Sequence, residues 1–296
     1  MRNCVLIPLV VIWALLPAAG WSWSPPVYCT QWGSYGTGPG QFDHPGAVVV
    51  NAGGGMYVAD TYNNRIQKFT TSGGYLTEWG NLGTGPGQFN MPKGLAVDAD
   101  SNVYVVEEGN NRIQVFTSSG GYITQWGSYG TGVGKFHAPE GVAVGANDKV
   151  YVADTQNHRI QVFTKGGGYI TQWGGLGTGP GQFDNCRGLA VDADSNVYVA
   201  LAFDNLIQVY TSSGGYITQW GSSGTGEGQF NRPFGLAADA SGNVYVGDTF
   251  NNRIQVFCNG PSVVPMFSPL GVLFLLLAVV AVALVLMTGK LRTKIV

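Results

Sequence analysis

The sequence predicts an all-β fold, a five-bladed β-propeller, and three observations carry that expectation. The first is a strict internal period: Trp32, Trp79, Trp126, Trp173 and Trp220 stand 47 residues apart, with no insertion to break the phase. The second is that four short runs inside each period read as strands, rich in Val, Ile, Tyr and Phe and bounded by turn residues. The third is composition: 46 of the 296 residues are glycine, beside 8 Trp, 14 Tyr and 14 Phe. Many glycines with many aromatics describe short strands joined by tight turns. Four antiparallel strands in a period of about 40–50 residues make one propeller blade.

Each element can be placed in the second copy. Its strands are expected at residues 94–98, 103–106, 112–117 and 122–126. Asp98-Ala99-Asp100-Ser101-Asn102 and Ser118-Ser119-Gly120-Gly121 separate them with ordinary turn chemistry. Ile113, Val115 and Thr117 alternate with Gln114 and Phe116, the two-residue period of a sheet, and no helical spacing appears.

The last copy stops at Phe257-Cys258, after its third strand. The missing fourth, Y-I-T-Q-W-G elsewhere, stands at the start of the chain as Tyr28-Cys29-Thr30-Gln31-Trp32-Gly33. The N-terminal strand is therefore expected to complete the last blade, leaving no open edge, and five blades are expected to close without remainder. Cys29 and Cys258 fall opposite each other across that hairpin, at a separation a disulfide can span. Cys186 takes a place where the other copies carry Pro45, Pro92, Pro139 and Pro233, and reads as a drifted proline site.

Both ends read as membrane-related. Residues 1–20 carry Arg2, an apolar run from Cys4 to Leu16 and small residues at Ala18, Ala19 and Gly20, the pattern of a secretory signal peptide. Residues 28–258 hold the propeller and 259–269 a linker. Residues 270–288 are an uncharged apolar run expected to span a membrane, and 289–296 a basic tail with Lys290, Arg292 and Lys294 expected to stay cytoplasmic. All 17 acidic residues lie between the two apolar segments, whereas four of the 15 basic residues lie outside, so the exported part has a net charge of −6. That balance argues against a nucleic-acid surface. No N-x-S/T sequon occurs, and a prokaryotic cell membrane is the expected location, with the propeller outside.

The repeats resemble the NHL family. The elements that carry the resemblance are F-x-x-P-x-G-L-A-V-D, V-Y-V-A-D and N-N/H-R-I-Q-V-F, with Asn157-His158-Arg159-Ile160 nearest the core of the motif. The resemblance spans residues 28–258 and implies a propeller. Its members include amidating lyases, RNA-binding regulators and sensor domains of membrane kinases, so it leaves function open. Amidating lyases would require a set of histidines at matching blade positions. His44 and His137 precede Pro in two blades, but Met91, Asn185 and Arg232 stand in that stretch of the others, and His158 is in a different loop.

Repeated polar residues read first as scaffold. Asp60/Arg65 recur as Glu107/Arg112, Asp154/Arg159 and Asp248/Arg253, while blade four has Leu201 and Leu206. Losing both partners together is what a structural ion pair requires, because losing one would strand a charge. Asp98–Asn102 and Asp192–Asn196 open like calcium loops but lack the later Gly and Glu, so they read as turns. Gly127-Ser128-Tyr129-Gly130-Thr131-Gly132 leads into no helix and is not expected to cradle phosphate. No catalytic set, metal site or cofactor site is expected.

Positions that vary on the constant frame are the candidate ligand face. They are Lys93, Glu140, Arg187 and Phe234 inside the P-x-G motif, with Glu107, Glu108, Phe203 and Asp204 in the second loop set. The expected function is a membrane-anchored, non-enzymatic surface module that binds an extracellular protein or glycan. The alternative is an extracellular lyase or hydrolase using the central pocket.

Overall fold

The computed structural model describes residues 31–258, and its strands fall into five antiparallel sheets. Blade 1 is β1 (Pro45–Val50), β2 (Gly55–Asp60), β3 (Arg65–Thr70) and β4 (Tyr75–Trp79). Blade 2 is β5 (Pro92–Val97), β6 (Val103–Glu107), β7 (Arg112–Phe116) and β8 (Tyr122–Trp126). Blade 3 is β9 (Gly141–Val144), β10 (Lys149–Asp154), β11 (Arg159–Thr164) and β12 (Tyr169–Gly174). Blade 4 is β13 (Cys186–Val191), β14 (Val197–Leu201), β15 (Leu206–Tyr210) and β16 (Tyr216–Trp220). Blade 5 has three strands among the described residues, β17 (Pro233–Ala238), β18 (Val244–Asp248) and β19 (Arg253–Phe257). The strands expected in the second copy are all present, with bounds shifted by two residues or fewer. This is a five-bladed β-propeller.

Each blade is a meander in which every strand pairs with the next in sequence. Blades then stack face to face. Tyr57, Ala59 and Ile66 of blade 1 meet Phe89, Leu95, Val103, Val105 and Phe116 of blade 2, and the pattern repeats between blades 2 and 3, 3 and 4, and 4 and 5. The periodic tryptophan closes the outer part of each interface. Trp79 lies 5.8 Å from Phe116, Trp126 5.7 Å from Phe163, Trp173 5.8 Å from Tyr210 and Trp220 5.2 Å from Phe257. The alternation along the third strand marks the two faces of the sheet and not core against solvent, because a blade packed between two others buries both faces: every residue of β7 is buried, Gln114 included.

Polar contacts reinforce the stacking. Asn64, Asn111 and Asn205 adopt left-handed backbone conformations, which asparagine tolerates better than most residues. Their side-chain carbonyls accept the backbone N–H of Met91, Ala138 and Arg232 in the following blade, at 2.9, 2.8 and 2.8 Å. The hydroxyls of Thr61 and Thr155 donate to the carbonyls of Pro92 and Cys186 across the same interfaces, both at 2.8 Å.

The innermost strands pack in series, β1 on β5, β5 on β9, β9 on β13 and β13 on β17. Among the described residues β17 and β1 do not pack in this way, and both flanks show it. Ile254 is 66% exposed, although Ile66, Ile113, Ile160 and Ile207 are fully buried. Tyr245 is 37% exposed where Tyr57, Tyr104 and Tyr151 are buried, and Val48 is 60% exposed where Leu95 is buried. The closure expected from the strand count is therefore not formed among these residues. Half of its expected closing strand, residues 28–30, lies outside them, as do Cys29, the signal segment and the apolar C-terminal run. No helix among the described residues is long and apolar enough to cross a membrane.

Candidate functional site

The connections from second to third strand and from fourth to first strand meet on one face, here the upper face. Their junction is built from the repeated ion pair. Nε of Arg65 donates to Asp60 at 2.8 Å, Arg112 to Glu107 at 2.6 Å, Arg159 to Asp154 at 2.7 Å and Arg253 to Asp248 at 2.7 Å. These carboxylates are fully buried and each collects more than the arginine. Asp154 also accepts the backbone N–H of His137 at 2.8 Å, the amide of Asn157 at 2.9 Å and that of Gln161 at 3.0 Å. The far end of Arg159 donates to the carbonyls of Gly132 and Lys135 at 2.8 and 3.0 Å. The pair thus fastens the long fourth-to-first connection onto the turn beneath it. Such an arrangement meets the condition under which a buried charge is tolerated, namely a partner and a full set of hydrogen bonds.

Blade 4 has lost this fastening as a unit. Leu201 and Leu206 replace the acid and the arginine, and Asp204 stands where the other blades place Asn63, Asn110, Asn157 and Asn251. With no carboxylate to serve, an amide donor has no task there. Asp204 keeps one buried carboxylate oxygen without a hydrogen-bond partner, and burial pushes its carboxyl above the usual range. It thus holds the place of the scaffold amide of the other blades. Glu107 belongs to the intact fastening of blade 2.

Five of the proposed ligand residues come together toward the inner strands. Lys93 Nζ lies 3.3 Å from Glu108, and Arg187 donates to Glu140 at 3.0 Å. The Arg187 guanidinium also covers the ring of Phe234 at 4.4 Å and bonds the side chain of Asn185. Burial pushes the Glu140 carboxyl up, while the nearby Arg187 and Lys93 pull it down and Glu108 pushes it further up. Cation and anion therefore alternate along three adjacent blades, and an aromatic ring ends the row. Phe203, the eighth candidate, reaches the row only through Arg232, whose guanidinium lies 5.1 Å from its ring.

Arg232 was not singled out by the repeat comparison, nor were Tyr62 and Phe250, all three exposed on this face. The signal that finds them is positional: His44 and Arg232 precede Pro in left-handed backbone, which turns the side chain onto the neighbouring loop. His44 stacks on Tyr62 at 4.5 Å, and Arg232 on Phe250 at 5.1 Å. His137 packs edge-on against Tyr129 at 5.1 Å, and His158 carries a buried Nδ1 without a hydrogen-bond partner. Among the described residues no group of three or more His, Cys, Asp or Glu side chains is arranged to hold a metal ion.

On the lower face, Asp98 accepts the backbone N–H of Asn102 at 2.8 Å and the Tyr104 hydroxyl at 3.1 Å, which is turn chemistry. Lys165 joins Asp148 at 2.7 Å and Asp100 at 3.0 Å, a tie between blades 2 and 3 that no repeat pattern announces. Cys186 is fully buried, and burial raises its thiol pKa well above the ordinary value, so it is a poor nucleophile. Cys258 is exposed beyond the end of β19.

Comparison with known proteins places these features. The NHL repeat model matches residues 42–69, 89–116, 136–163 and 230–257. These are blades 1, 2, 3 and 5, those that keep the acid–arginine pair. No curated protein matches the chain in sequence. Solved structures similar in fold include virginiamycin B lyase from Staphylococcus aureus, 19% identical with a TM-score of 0.51, covering 73% of this chain and 70% of that one. A protein of unknown function from Bacteroides thetaiotaomicron is 16% identical with a TM-score of 0.56, covering 71% and 58%. A chain of the nidogen/laminin complex is 16% identical with a TM-score of 0.55, covering 72% and 75%. At such identities the likeness speaks for the fold alone. Four of the five blades thus carry a match to the NHL repeat, consistent with an NHL-repeat β-propeller.

Proposed function

We propose that the protein is a non-enzymatic binding module that presents the upper face of its propeller to an extracellular protein or glycan. The observation that supports this most is the row Lys93, Glu108, Glu140, Arg187 and Phe234. These side chains differ from blade to blade on a shared frame that blades 2, 3 and 5 keep as P-x-G with fastened loops, and that blade 4 keeps in part, with Cys186 at the proline position. Variation carried on a rigid scaffold is where specificity is placed in loop-built sites. In this reading residues 1–20 direct export, Tyr28–Gly33 supplies the fourth strand of blade 5, and residues 270–288 hold the module at the outer surface of a prokaryotic cell. A binding measurement tests it. Full-length protein should cosediment with native envelope, and joint replacement of Lys93, Glu140, Arg187 and Phe234 by Ala should reduce binding at least about tenfold, an interface hot-spot loss. Lys165→Ala on the lower face should leave it unchanged. Equal loss from both variants, or from neither, overturns the reading.

The same reading carries a covalent prediction. Exported protein should contain a Cys29–Cys258 disulfide, visible as a linked peptide in a non-reduced digest by mass spectrometry. The closed loop would span nearly the whole propeller, so its entropic contribution is about 4–5 kcal/mol. Two free thiols in protein from an oxidising compartment would refute it.

A further inference from the structure

Arg232 is held between two phenyl rings. Its guanidinium lies 5.1 Å from the ring centre of Phe203 in blade 4 and 5.1 Å from that of Phe250 in blade 5. Its backbone is pinned in left-handed conformation by the bond from its N–H to Asn205. Phe250 stands edge-on to Phe234 at 6.4 Å, and Phe234 carries Arg187 on its face at 4.4 Å. The result is a continuous stack, Phe203, Arg232, Phe250, Phe234 and Arg187, across the upper face of blades 4 and 5.

The donors of Arg232 distinguish it. Arg65, Arg112, Arg159 and Arg253 are engaged in the loop fastening, and Arg187 bonds Glu140 and Asn185. Among the described residues the Arg232 guanidinium meets no carboxylate and no carbonyl acceptor. Contact with two rings restrains the guanidinium while its N–H groups meet no protein acceptor among the described residues, so the fork is left to accept a carboxylate in bidentate fashion. The cation–π contacts lower the entropic cost of holding it there.

We infer that this stacked arginine binds the carboxylate of a uronic-acid residue in an acidic glycan, a proposal that deepens the binding reading above and rests on it. Two observations favour a sugar. Phe203 and Phe250 remain about half exposed, and flat aromatic rings beside a polar group suit the C–H face of a pyranose whose carboxylate lies on the arginine. The exported part has a net charge of −6, which repels a densely acidic protein but tolerates a ligand with one charge per several sugars.

Calorimetric titration of the full-length protein with a xylotriose bearing one glucuronic acid tests the assignment, with unsubstituted xylotriose and a tripeptide containing one glutamate as comparisons. The acidic saccharide should bind at least tenfold more tightly than either. Arg232→Gln should remove that preference, and Phe203→Ala with Phe250→Ala should weaken binding at least tenfold, with melting curves confirming that each variant is folded. Equal affinity for the neutral saccharide, an unaffected Arg232→Gln variant or equal binding of the peptide overturns the proposal. Failure to bind the acidic saccharide, with envelope binding still dependent on Arg187, overturns it while leaving the wider reading intact; loss of both removes that reading too.

Discussion

Replacing Asp154 with Leu is expected to lower stability by about 3–5 kcal/mol, the range for leaving a buried charge without its partner. The structure explains the size. Asp154 is fully buried and receives Arg159, Asn157, Gln161 and the N–H of His137, so the change strands a cation and three further donors at once. Arg159→Leu should cost less, because three donors still satisfy the carboxylate. The double change should cost no more than Asp154→Leu alone, since it removes the stranded guanidinium, giving a coupling of about 1–3 kcal/mol. Adding Asn157→Asp copies the composition of blade 4, in which Leu201, Asp204 and Leu206 stand together. Denaturant unfolding of the four variants measures the cycle. Strict additivity of the single changes would defeat the scaffold role and move these charges into the ligand site.

How much of this was legible in the sequence depends on whether a feature repeats. The 47-residue period, the four strands and the Asp154/Arg159 pairing were readable because each copy restates them. The joint loss at Leu201 and Leu206 even disclosed the pairing before any geometry. The third member of that loss, Asp204, reads from the sequence as a ligand candidate; the structure adds that its equivalent in blade 3, Asn157, serves the buried carboxylate that blade 4 lacks. Arg232 escaped because its role comes from backbone handedness and from rings in two blades, which no linear motif records. Lys165 escaped for a related reason, since Asp100 and Asp148 come to it from two different blades. The lone thiol of Cys186 was legible as a drifted proline position, and its full burial fits that origin.

Gly188→Ala should be the more disruptive of two matched substitutions and Gly235→Ala the silent one. A methyl group on Gly188 would sit 1.8 Å from the carbonyl oxygen of Phe234, and one on Gly141 2.0 Å from that of Arg187. The obstacle is backbone in the next blade, which cannot rotate away, so the inner strands must separate. Overpacking of this kind costs about 3 kcal/mol, or about 6–12 °C in Tm for a domain of this size. Gly235 holds the equivalent place in blade 5, and nothing lies within 4 Å of the same methyl position. Alanine there should leave stability unchanged or raise it by up to about 1 kcal/mol through the unfolded chain. The comparison also reports on the two flanks that do not meet among the described residues. Blade 5 keeps the parts used at the other interfaces: Gly235, Asn252 in left-handed backbone and Thr249, whose hydroxyl turns back to Gly247 at 3.3 Å. Blade 1 offers the matching carbonyl of Pro45 and N–H of His44. Melting curves of both variants therefore decide between two arrangements. A silent Gly235→Ala means that the flank of blade 5 stays open in solution. A loss equal to that of Gly188→Ala means that a carbonyl does reach Gly235, and that blades 5 and 1 meet through the same contacts as the other four interfaces.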